Sequence, residues 1–162
     1  MKKLIVGMGV LGVVLGLIGL AIAANSDFHT VTVDVEAINE AAITGGDLTL
    51  TINTATAGQE PDDAVDNTTC DLDWTTNEDT KKITVETDQA APTYTLKVVA
   101  QNVTGGTAAA EVTLSTTGAN SFVTAISKTT GGCDLQYTAS ATAAQGTGSD
   151  VHTVTYTLTA GP

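Results

Sequence analysis

The chain contains no Arg among its 162 residues, and its six Lys face 18 acidic residues, for a formal charge of −12. A chain so poor in cations has little with which to neutralise a phosphate backbone, which argues against nucleic-acid binding. Anionic lipid headgroups repel it for the same reason. Aromatic residues are scarce at 4%, with one Trp, three Tyr and two Phe. A glycosidase needs two carboxylates facing each other across a cleft, and so few rings leave little to line one. There are two His and no G-x-S-x-G or H-E-x-x-H pattern, so the familiar hydrolytic motifs are missing. No catalytic residue and no cofactor is expected. After residue 24 no 3.6-residue apolar period is sustained, which excludes a helical domain.

What is present begins with a leader. Lys2 and Lys3 precede an uncharged apolar run from Leu4 to about Leu20, and Ala21-Ile22-Ala23 is an A-x-A site. Residues 1–23 therefore read as a helical signal peptide, cleaved after Ala23 or one residue later. The alternative is a retained anchor, since the run approaches the length that spans a bilayer. The small residues at its end and its several Gly favour cleavage. Residues 24–162 then form one exported domain, at the cell surface or in the medium, with the periplasm as the alternative. No membrane contact is expected after cleavage.

That domain is dominated by Thr, which supplies 31 residues of the whole chain, and by period-2 alternation. Val31, Val33, Val35 and Ala37 share one face of segment 28–38, against Thr30, Thr32, Asp34 and Glu36. Leu48, Leu50 and Ile52 alternate with Thr49, Thr51 and Asn53. A loop is expected over about 55–68, where Gly58, Pro61 and several Asp cluster. Dry faces follow at Cys70/Leu72/Trp74, Ile83/Val85, Tyr94/Leu96/Val98/Ala100 and Val112/Leu114. The last are Phe122/Thr124/Ile126, then Cys133/Leu135/Tyr137 after Gly131-Gly132, and Val154/Tyr156/Leu158. Such alternation marks strands with one wet and one dry face, as in antiparallel sheets. About nine strands predict an all-β, antiparallel two-sheet sandwich, jelly-roll or immunoglobulin-like, with a closed barrel as the alternative.

Cys70 and Cys133 both fall on the dry phase of their strands. In an exported chain, such a pair predicts one disulfide. It would close a loop of about 64 residues and contribute about 4 kcal/mol. The spacing with Trp74 resembles immunoglobulin domains only superficially, because the Trp is too near the first Cys and no Tyr precedes the second by two residues.

Asp62, Asp63 and Asp66 crowd the 55–68 loop and are the candidate Ca²⁺ ligands. Their spacing does not fit an EF-hand, and a solvated acidic loop is the simpler reading, so no metal is assigned. Asn67-Thr68-Thr69 and Asn102-Val103-Thr104 fit the N-glycosylation triplet. His29-Thr30-Val31-Thr32-Val33 recurs near the end as His152-Thr153-Val154-Thr155-Tyr156. An N-terminal strand just past a cleavage site is free to complete the sheet of a neighbour, which makes Val31, Val33 and Val35 the candidate assembly strand.

Residues 42–50, Ala-Ile-Thr-Gly-Gly-Asp-Leu-Thr-Leu, resemble the start of TasA/camelysin-type proteins, with a Gly-containing turn leading into a Leu-alternating strand. The resemblance implies a jelly-roll subunit whose N-terminal strand enters the next subunit to build an extracellular fibre. The expected function is thus a secreted or cell-surface structural protein, a filament or matrix subunit that self-assembles through its N-terminal strand. The alternative is a monomeric extracellular module that binds carbohydrate, Ca²⁺ or a partner protein.

Overall fold

The computed structural model describes residues 26–116 and 118–162, so the helix expected in residues 1–23 lies outside the described residues. The chain divides into two compact units, Met1–Asp34 and Val35–Pro162. In the first, residues 26–34 form neither helix nor ladder.

The second unit is all-β. Its strands are β1 (Asn39–Thr44), β2 (Ala64–Asp66), β3 (Asp71–Thr76), β4 (Lys81–Thr87) and β5 (Thr95–Thr104). They continue with β6 (Thr107–Ala108), β7 (Val112–Thr113), β8 (Asn120–Ile126), β9 (Thr129–Ser140) and β10 (Val154–Ala160). Every pairing is antiparallel. One sheet runs β1-β3-β9-β5-β7, with β2 also on β9, and the other runs β10-β4-β8-β6. Among the described residues each sheet has free edges, which does not match the closed-barrel alternative.

The core lies between the two sheets. Leu72, Trp74, Val98 and Leu135 come from the first, and Ile83, Val85, Phe122 and Ile126 from the second. Burial alternates strictly along β3, where Leu72, Trp74 and Thr76 are buried and Asp71, Asp73 and Thr75 exposed. The Phe122 ring meets Tyr156 edge-on at 5.1 Å, an arrangement worth about 1 kcal/mol beyond area burial. The Gly131-Gly132 pair sits inside the 12-residue β9 rather than marking its start. Gly131 lies opposite Trp74, and a Cβ there would come within 2.5 Å of the indole. The glycine makes room for the indole in the core.

Two expected strands differ. Segment 28–38 carries no ladder, and pairing starts at Asn39. Segment 47–54 also has none, although Leu48 and Leu50 do pack on the core. Alternation records which side chains face a dry surface; a ladder also needs a partner edge. In β8 the phase slips, and Phe122 and Val123 are both buried. Register shifts against β4 and a positive φ of 55° at Ala125 mark the bulge responsible.

The expected disulfide is absent: Cys70 and Cys133 are both buried and both free thiols. Cys133 lies opposite Leu72, and the Leu135 N–H donates to the Cys70 carbonyl at 2.9 Å. The two cysteines are therefore diagonal neighbours on one face. Diagonal pairs have Cα atoms about 7–8 Å apart, beyond the roughly 4.4–6.8 Å that a disulfide spans.

Candidate assembly site

The candidate assembly strand is exposed. Val31 and Val35 are each 70% exposed and Val33 82%. Their β-branched side chains favour a strand, yet among the described residues no strand is paired with them. Where this segment joins β1, Asn77 holds it. The Ile38 N–H donates to Asn77 Oδ1 at 2.8 Å, and Asn77 Nδ2 donates to the Glu36 carbonyl at 2.7 Å. The Asn77 N–H in turn donates to the Ile38 carbonyl. Asn77 sits just past the end of β3, so the β3–β4 turn anchors the chain just after the candidate assembly strand.

The two sheets leave one side open. β1 and β10 are the terminal strands there, each paired on one edge only among the described residues. On β1, Ala41 and Ile43 lie opposite Trp74 and Leu72 and so share the inward phase. They are incompletely covered, and Ile43 is 45% exposed. Across from them Val154, Tyr156 and Leu158 of β10 are only half-buried. Between lies a cleft of about 300 Å³ lined by Ala41, Ala42, Ile43, Leu72, Val154, Thr155 and Tyr156.

The free edge of β10 is unguarded. Its seven residues, Val-Thr-Tyr-Thr-Leu-Thr-Ala, carry no charge and no Pro. Natural edge strands are commonly protected by charge, Pro, bulges or shortness. The alternation of the sequence places Val154, Tyr156 and Leu158 on a dry face but gives no such face to Ala41 and Ile43. The lack of any charge along β10 was the available signal.

The remaining candidates do not converge. Among the described residues, no group of three His, Cys, Asp or Glu side chains is placed to hold a metal. The suggested Ca²⁺ set Asp62, Asp63 and Asp66 is therefore not brought together as a ligand cage. Asp66 instead shapes its own turn, accepting the Thr69 hydroxyl at 2.9 Å and the N–H groups of Thr69 and Thr68. Those bonds hold its carboxyl below the ordinary 3.8, the Thr69 hydroxyl contributing most. Burial, aided by Asp134, Asp71 and Asp73, pushes the Cys133 thiol up to about 12. A thiol so disposed is a poor nucleophile. Burial likewise raises Tyr156, whose hydroxyl lies 2.9 Å from that of Tyr137.

Comparison with protein-family models, with curated proteins and with solved structures finds no match.

Proposed function

We propose that this chain is an exported structural subunit that builds a fibre by β-strand addition. Residues 28–36 of one copy add to the free edge of β10 in the next and cover the cleft beside β1. The observation that carries the reading is that long, uncharged edge beside an uncovered apolar cleft, in a chain with an unpaired alternating segment.

The chemistry of the two parts is complementary. Val31, Val33 and Val35 would turn toward Ile43 and Tyr156. Thr30 and Thr32 would continue the outward row of Thr155, Thr157 and Thr159 in β10. Thr–Thr and β-branched pairs are favourable cross-strand neighbours. The segment His-Thr-Val-Thr-Val also copies the lead into β10, His-Thr-Val-Thr-Tyr, a sequence that already forms a strand of this sheet. Donor and acceptor are different surfaces, so the contact is heterologous and need not close, which yields filaments. The leader of residues 1–23 supports export, and residues 42–50 support a TasA/camelysin-like jelly-roll subunit. On this reading the mature chain is no enzyme, needs no cofactor, and meets neither nucleic acid nor membrane.

The test is negative-stain microscopy and light scattering of the mature chain with the variants Val33→Asp and Ile43→Asp. The unaltered chain should form fibres, and each variant alone should be monomeric. Mixed, the two variants should stop at dimers, because one supplies an intact donor and the other an intact acceptor. Fibres from Val33→Asp alone would refute strand donation.

A further inference from the structure

The two Asn-x-Thr triplets occupy contrasting settings. Asn102 lies within β5 at a positive φ of 52°. Its Nδ2 donates to Asp134 Oδ2 at 2.6 Å. The third residue of that triplet, Thr104, is tied to Gly132 both ways: its hydroxyl donates to the Gly132 carbonyl, and the Gly132 N–H donates to Thr104 Oγ1. The triplet lies at an irregularity of the ladder where Asn102 is exposed, but it is flanked by the pairs Gln101–Asp134 and Thr104–Gly132. An enzyme acting on the Asn102 amide must first break a charge-assisted bond and lift out part of a ten-residue strand.

Asn67 opens a three-residue bend between β2 and β3. Its side chain is exposed and makes no hydrogen bond among the described residues. The bend does not depend on it. Asp66 supports the turn through the N–H groups of Thr68 and Thr69 and the Thr69 hydroxyl. The amide of Asn67 is therefore presented on a preformed turn with no bond of its own to break, and within this triplet only the Thr69 hydroxyl, bonded to Asp66, would have to be released.

We propose that Asn67 is an N-glycan acceptor and that Asn102 is not. The co-reactant is a lipid-linked phosphate or pyrophosphate oligosaccharide. Asn67 Nδ2 attacks C1 of the reducing-end sugar, and the N–C1 bond forms as the C1–O bond to phosphate breaks. The lipid phosphate leaves with the bonding pair, and one amide proton passes to a base of the transferase. No electrons change hands, so no oxidant is needed. The proposal rests on the export reading in one respect, that such transfer acts on exported chains.

The experiment is intact-mass measurement and peptide mapping of the full chain, recovered both from the producing cells and from their exterior. The exterior protein should exceed its polypeptide mass by one glycan. That excess should vanish in Asn67→Gln and persist in Asn102→Gln and in Thr69→Ser, which keeps the triplet. Bare exterior protein, or an excess that disappears with Asn102→Gln and not with Asn67→Gln, overturns the proposal and leaves export standing. Bare protein found only inside the cells overturns both readings. Because Asn67 is exposed and unbonded, Asn67→Gln should fold normally, and an unchanged melting temperature verifies this.

Discussion

The two sides of this β-protein end differently. On one, the terminal strands β6 and β7 are two residues long, and the ion pair Lys97–Glu111, at 3.1 Å, stands beside β7. Between β5 and β6 the chain itself passes from one sheet to the other at Gly105-Gly106. A Cβ on Gly106 would meet Val123 at 2.6 Å, so that corner is tightly filled. On the other side, β1 and β10 run six and seven residues, and Ile43 remains half uncovered. Short, charged or covalently closed edges resist pairing with other chains; long neutral edges invite it. For the strand addition proposed above, the difference favours the β1–β10 side as the acceptor.

The largest effect that probes this contrast is on stability. Phe122, 1% exposed and edge-on to Tyr156, should cost about 3–5 kcal/mol when truncated to Ala. Ile43→Ala should cost below about 1 kcal/mol, because the side chain is already 45% exposed. Urea denaturation of the two variants under monomeric conditions measures the gap. Equal losses would mean that the open side is covered in solution.

A second, chemical test concerns the thiols. At pH 8 the native protein should resist alkylation at both cysteines, since burial raises both thiols, Cys133 to about 12. Unfolding without reductant should expose two reactive thiols. If no thiol labels after unfolding, the cysteines are bridged and the diagonal geometry is wrong.

The smallest effect is electrostatic. Hydrogen bonds from Thr69 and Thr68 depress the Asp66 carboxyl below 3.8. A carboxyl depressed on folding stabilises the native state above its unfolded pKa, and that contribution is lost as pH falls through the folded value. Carboxyl ¹³C shifts should therefore titrate below 3.8, with Thr69→Val moving the midpoint up toward 3.8. A midpoint that does not move would remove the hydroxyl as the main cause.

Much of the fold could be read from residue order. The faces assigned to Leu72/Trp74, Ile83/Val85, Val98/Ala100 and Leu135/Tyr137 are all the buried ones. The failures share a cause. Segments 28–38 and 47–54 have the alternation of strands but not the partners, and no local pattern encodes a partner. Gly131-Gly132 reads as punctuation until Trp74 is seen to occupy the space above it. The irregular β4–β8 register buries Val123 beside Phe122 on the wrong phase, and a second shift brings Ile126 back to the expected one. Cys70 and Cys133 have the right phase for a bridge, but their relative register, which only strand pairing sets, makes them diagonal.

Residue order alone determined an all-β chain with a dry face on most segments, because side-chain direction along a strand alternates with period 2 and Thr or a charge on the wet phase marks it. Tertiary structure alone decided which edges meet a neighbour and which remain free. That choice depends on strand order and register, which are set by the packing of distant segments against one another.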